Sequence, residues 1–200
     1  GMAQVLQLEP GQRLFRRGDK PSGLYAVVEG AMRIGAVSES GKEALLTLVE
    51  PPYWFGEISL FDGLPRTHDA FAESASSLLL LPQAELLALL EAQPRYWRDF
   101  ALLMSQKLRL SFIGLEQLSL MPASVRLAHR LLMIVEGYGD MELSKRVLQL
   151  PQEDLAAMLS LSRQTTNALL KDLQARGIVR LGYGEIEILD VQRLREAAHT

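Results

Sequence analysis

Apolar and polar positions alternate with period two in short stretches from residue 5 to residue 81, and then the period changes. The stretches Val5–Leu8, Arg13–Phe15, Leu24–Val28, Met32–Val37, Ala44–Val49, Ala70–Glu73 and Leu78–Leu81 have strand length and alternation. Gly11, Gly18, Gly30, Gly41, Gly56 and Gly63 stand between or beside them as turn residues. Many short strands with frequent turns predict a sandwich or barrel, with no helix before Pro82. Pro82 opens a helix that carries Glu85, Leu86, Leu89 and Leu90 and stops at Gln93-Pro94.

From Tyr96 to Met121 the pattern is helical. Ala101, Met104, Leu108, Ser111, Leu115 and Leu118 are spaced three, four, three, four, three. That is the seam of a short coiled coil, and it predicts that two copies pair along it. Leu103, Leu110, Ile113 and Leu120 lie off the seam and are expected to pack within their own subunit. Ser111 is the one polar seam residue. It is either a tolerated small residue or a polar group aimed at a ligand held between two subunits.

Met121-Pro122 is a hinge signal, because proline keeps its predecessor out of the α region. Ser124 to Glu136 reads as a helix with Leu127, Leu131, Leu132 and Val135 on its apolar face, ended by Gly137-Tyr138-Gly139-Asp140. Met141–Leu143 and Val147–Leu150 suggest a hairpin about Ser144-Lys145. Pro151-Gln152-Glu153-Asp154 then opens a helix whose acidic first turn suits the helix dipole. Its buried face is Leu155, Ala156 and Leu159. Ser160-Leu161-Ser162 is a turn, and Ser162 caps a second helix, Arg163 to Arg176, closed by Gly177. Ile178–Leu181 and Glu185–Leu189 around Gly182-Tyr183-Gly184 read as a wing, and Val191 to Ala198 as a last helix. Two helices joined by a three-residue turn predict a helix-turn-helix, whose second helix enters the major groove of double-stranded DNA; an αα-hairpin in some other core is the alternative.

Composition narrows the function classes. The chain has 200 residues and no cysteine, which removes disulfides, thiolate metal sites, cysteine nucleophiles and Cys-ligated iron–sulfur clusters. No run of about 18 apolar residues exists, so no membrane span is expected. Gly1 before Met2 looks like a tag remnant, no signal-peptide core is visible, and a cytoplasmic protein is expected. Net charge is −3, and residues 122–200 hold 10 Lys/Arg against 10 Asp/Glu. A DNA reader here must therefore act through local placement of charge. Enzymes on a β-roll generally hold a metal with several histidines. Only His68, His129 and His199 are present, none in an H-x-H pair.

The stretch FGEISLFDGLPRT, residues 55–67, has chemistry of its own. Gly56 lets a backbone approach closely, Glu57 can accept from a ribose hydroxyl, Arg66 can pair with a phosphate, and Thr67 adds a hydroxyl and an N–H. A solvated Glu–Arg pair on a loop is the alternative.

With PGQRLFRRGD and LYAVVEGAMRI before that stretch and QEDLAAMLSLSRQTTNALLKDLQARGIV at residues 152–179, the chain resembles the cyclic-AMP receptor protein (Crp/Fnr) family. The resemblance covers nearly the whole length and implies an α+β chain. Residues 1–94 would be a β-roll sensor (a double-stranded β-helix), 95–121 a dimerisation helix and 122–200 a winged helix-turn-helix. It implies a homodimeric, cytoplasmic, bacterial transcription regulator that binds a palindromic operator, with RNA polymerase as a further partner and no membrane. The implied effector is a cyclic nucleotide, cAMP or cGMP. Its site would comprise Gly56, Glu57 and Ile58, with Glu57 on the ribose, Arg66 and Thr67 on the phosphate, and Ser111 touching the base across the dimer. Phe112 stands where the cyclic-AMP sensors carry a second hydroxyl, and His68-Asp69 where small residues usually follow the phosphate pair. In the reader, Arg163, Gln164, Asn167 and Ala168 take base-facing positions, while Ser162, Thr165 and Lys171 are phosphate candidates. Gln164 and Ala168 replace the Glu and Arg of the family's best-known pattern, so a different half-site is expected. A DNA-binding dimer with a vestigial pocket stays open beside the effector-controlled reading.

Overall fold

The computed structural model describes residues 2–37, 43–136 and 146–199. The chain divides into two compact units, Gly1–Leu108 and Arg109–Thr200. The turn at Gly41, the strand Met141–Leu143, the helix end at Gly137-Tyr138-Gly139-Asp140 and the turn at Ser144-Lys145 lie outside the described residues.

Among the described residues the first unit holds eight strands. They are β1 (Gln4–Leu8), β2 (Arg13–Phe15), β3 (Gly23–Glu29), β4 (Met32–Val37), β5 (Glu43–Val49), β6 (Tyr53–Phe55), β7 (Asp69–Ala72) and β8 (Ser76–Pro82). They form two antiparallel four-stranded sheets in the orders β1-β8-β3-β6 and β2-β7-β4-β5. The inward-facing residues of both sheets make one core of Leu8, Tyr25, Val27, Met32, Val49, Phe55, Ala70, Ala72 and Leu78. This is the alternation expected of paired sheets. The register of β3 on β8, from Gly23 opposite Pro82 to Val27 opposite Leu78, places Tyr25 and Val27 inward together.

Two elements depart from the sequence reading. The segment Tyr-Trp-Phe after Pro51-Pro52 forms β6. A short helix, α1 (Ile58–Asp62), interrupts the strands well before Pro82. It buries Ser59 and Leu60 and ends at Gly63, whose φ of 67° lets its N–H reach the Ser59 carbonyl. Pro82 itself remains extended, with ψ 142°, and serves as N-cap of α2 (Gln83–Ala92). A second cluster (Leu24, Leu60, Leu86 and Leu90, flanked by Trp54, Trp97 and Phe100) seats α1 and α2 on β3.

The helix α3 (Tyr96–Leu120) runs for 25 residues and buries none of them fully. Its predicted seam is open: Leu108, Leu115 and Leu118 are 55%, 60% and 49% exposed, and Phe112, one turn from Leu108, is 62% exposed. The expectation for the off-seam residues holds for Leu103, which lines a cleft with Leu24 and Trp54. It fails for Ile113 and Leu120, which are exposed.

The second unit contains α4 (Ala123–Glu136), β9 (Val147–Leu148), α5 (Gln152–Leu159), α6 (Arg163–Ala175), β10 (Val179–Leu181), β11 (Ile186–Ile188) and α7 (Val191–Ala197). Leu127, Leu131, Leu132 and Val135 of α4 are buried, as their spacing predicts. The small sheet has the order β10-β11-β9, so β9 pairs with the wing strand β11. Ile178, Val179, Ile186 and Ile188 close the core under α6.

Candidate functional site

The short β6 and α1 bring the chemistry of residues 55–67 together. Gly56 follows β6 with φ 92°, and a Cβ there would lie 2.7 Å from Arg66 Nη1. The close approach that requires glycine is therefore to Arg66 of the same chain. Arg66 is 3% exposed. Its Nη1–H donates to the Gly56 carbonyl at 2.9 Å and its Nη2–H to the Gly23 carbonyl at 2.7 Å. The guanidinium lies 4.5 Å from the Phe15 ring centroid and 5.5 Å from that of Tyr25, both faces suited to a delocalised cation. Its Nε–H is buried with no partner, and among the described residues no carboxylate stands within salt-bridge distance. Burial pulls its pKa below the ordinary arginine value, an effect that Tyr25, Glu57 and Asp19 partly offset.

Glu57 is buried too, at 4% exposure, and is bound to a residue the sequence did not flag. Lys107 Nζ donates to Glu57 Oε2 at 2.9 Å and to the Trp54 carbonyl at 2.6 Å, over the Tyr53 ring at 4.7 Å. Burial lowers the Lys107 pKa, and Glu57 works against that shift. Neither Glu57 nor Arg66 is the solvated loop residue of the alternative reading, and they are not paired with each other. Ile58 and Thr67 are exposed. The Thr67 hydroxyl and His68 Nδ1 share a hydrogen bond at 2.9 Å. His68 is pushed below the usual histidine pKa by burial and then by Arg17, against Asp69. Ser111 and Phe112 are both exposed on the part of α3 that belongs to the second unit.

The turn and the second helix form where the sequence places them. Ser162 is extended, with φ −73° and ψ 152°, and its Oγ accepts from the Thr165 N–H at 3.1 Å. The two hydroxyls of Ser162 and Thr165 are 2.8 Å apart. Ser160 ends α5 in the left-handed conformation, and Gly177, at φ 68°, ends α6. Thr166, Leu170 and Leu173 point into the core. Ser162, Arg163, Gln164, Thr165, Ala168 and Lys171 are exposed. Gln164, Ala168 and Lys171 follow at intervals of four and three and so share one face. Asn167 is half-buried, and its Nδ2–H donates to Gln152 Oε1 at 2.9 Å.

A two-sheet roll with a buried, cation-bearing loop, followed by a helix-turn-helix and a wing, is the architecture of a DNA-binding regulator. The comparisons with known proteins agree. The cyclic nucleotide-binding domain family matches residues 5–93, and the Crp-like helix-turn-helix domain family matches residues 125–197. A cyclic AMP receptor protein of Thermus thermophilus is 33% identical over 94% of this chain and 85% of its own length. The transcriptional regulator SdrP of the same organism is 34% identical over 88% of this chain and 84% of its own. A crystal structure of a CRP/FNR-family transcriptional regulator from Thermus thermophilus superposes with a TM-score of 0.77 at 31% identity, covering 98% of this chain and 99% of that one. The chain belongs to the cyclic-AMP receptor protein (Crp/Fnr) family of transcription regulators and is not an enzyme. Among the described residues no helix is long and apolar enough to cross a membrane.

Proposed function

We propose that this chain is a homodimeric regulator whose binding to a palindromic operator is controlled by a small anionic effector, a cyclic nucleotide, held at Arg66. The observation that carries the reading is the state of that guanidinium. A buried cation without a carboxylate costs several kcal/mol. Arg66 is 3% exposed, held by two main-chain carbonyls, with a buried N–H that bonds to nothing. A phosphate supplies the missing charge and acceptor. Glu57, bound to Lys107 through Oε2, has its second carboxylate oxygen for a ribose hydroxyl. The match to the cyclic nucleotide-binding domain family over residues 5–93 supports the same ligand class. Pairing of two copies along the open α3 seam would present two α6 helices to successive major grooves, roughly 34 Å apart.

One observation favours a second reading, a DNA-binding dimer that needs no effector. The Glu57–Lys107 pair and the two Arg66–carbonyl bonds use groups that a nucleotide would otherwise engage. Equilibrium dialysis of cyclic AMP and cyclic GMP against the wild type and Arg66→Met separates the two. Effector control predicts that at least one nucleotide binds the wild type and that the variant loses it by 30-fold or more, from about 2–4 kcal/mol. Failure of both nucleotides to bind at millimolar concentration supports the effector-independent dimer.

A further inference from the structure

The bond between Asn167 and Gln152 joins two packed helices that the turn at residues 160–162 connects in the chain. Gln152 is the first residue of α5, held at the helix start by the extended Pro151, and it is half-buried like its partner. The donor is Asn167 Nδ2 and the acceptor Gln152 Oε1, at 2.9 Å. Neither side chain has another hydrogen bond among the described residues. Asn167 lies one turn beyond Arg163 and Gln164.

An asparagine amide has one carbonyl oxygen and two N–H groups. Adenine in the major groove is read by one such oxygen and one such N–H, which together match its N6–H donor and N7 acceptor. An unrestrained amide presents either end to the base and pays rotamer entropy when it settles. With one N–H committed to Gln152, the Asn167 amide keeps Oδ1 and one N–H, and its orientation is set before DNA arrives.

We propose that Gln152 is a positioning residue for base recognition: its carbonyl fixes the Asn167 amide so that Asn167 reads adenine at one position of each half-site. Gln152 touches no base in this scheme. The inference rests on the reading of α6 as the base-contacting helix.

The test is selection from random duplex DNA with the wild type, Asn167→Ala, Gln152→Ala and Gln152→Glu. Enrichment at each base pair is the readout, because it compares sequences bound by the same folded molecules. The expected result is that Gln152→Ala loses about tenfold of the adenine preference at the base pair that Asn167→Ala also affects. Other positions keep theirs. Gln152→Glu retains the preference, since a carboxylate oxygen still accepts from Asn167 while any general loss of affinity leaves the motif unaltered. The inference is overturned if Gln152→Ala selects the wild-type motif, if it flattens every position alike, or if Gln152→Glu behaves as Gln152→Ala. A wild type that selects no palindrome overturns the base-reading helix itself, and this inference with it.

Discussion

Pairing along α3 is open to a direct perturbation. Leu108 and Leu115 lie seven residues apart on the seam and are 55% and 60% exposed in the single chain. Full burial of a leucine is worth ~2 kcal/mol, so covering the open half of each contributes ~1 kcal/mol. Two residues in each of two subunits give ~4 kcal/mol, which is about a thousandfold in the dissociation constant. Replacing both by lysine removes that burial and places four ammonium groups at one seam, a like-charge arrangement that adds to the loss. Sedimentation velocity of the wild type and the Leu108→Lys/Leu115→Lys variant, across nanomolar to hundred-micromolar concentration, reads the change. The wild type is expected to sediment as a dimer at micromolar concentration and the variant as a monomer with an unchanged circular dichroism spectrum. A wild type that is monomeric at that concentration, or a variant that dimerises as tightly, would refute the reasoning.

Other parts of the molecule give sharper signs than magnitudes. Thr166 is wholly buried and its hydroxyl has no partner, so Thr166→Val should raise stability by about 1 kcal/mol in thermal or urea unfolding; a loss of stability contradicts the assignment. Lys171 is exposed two turns into α6. Lys171→Ala should weaken binding to all DNA sites alike and reduce the salt slope by about one charge per subunit, whereas a change confined to one base pair would make it a base reader. His129, beside Gln117 at 3.0 Å, has its pKa lowered by burial, then by His199 and Arg130, against Glu136; His68 is lowered in the same way. The folded state thus binds these protons less readily than the unfolded chain. Stability present above the ordinary histidine pKa of about 6.5 should be lost as pH falls below it. His68→Gln/His129→Gln should melt with a shallower acid dependence than the wild type, and an identical dependence counts against the two histidines.

Seven of the eight described strands of the roll were legible because each is a short apolar or alternating run near turn residues. Glu57 stood out as a carboxylate beside Gly56, and Arg66 as the one basic residue of residues 55–67. What surrounds them was not legible. The helix α1 is five residues long, too short to show a period of 3.6, and β6 is three residues squeezed between Pro52 and Gly56. The ligand-facing role read for Gly56 missed Arg66, because a glycine reports that something comes close but not what. Lys107 carries no signal at all: a lone lysine on an amphipathic helix looks solvated, and only the fold brings it to Glu57. The cap at Ser162 and the face of α6 were readable since both are local. Asn167 on Gln152 was not, for it depends on the turn through Ser160, whose φ of 54° no residue type would announce. The outward turn of Leu120 has a similar cause: apolar spacing marks a face without saying whether the same chain covers it.

The central claim is that an anion at Arg66 controls DNA binding. It is tested most directly by the affinity for the selected palindrome, measured by fluorescence anisotropy with and without saturating cyclic AMP or cyclic GMP, for the wild type and Arg66→Met. Effector control predicts that one nucleotide shifts the wild-type affinity by tenfold or more and leaves that of Arg66→Met unmoved. Equal wild-type affinity in the presence and absence of both nucleotides would contradict it.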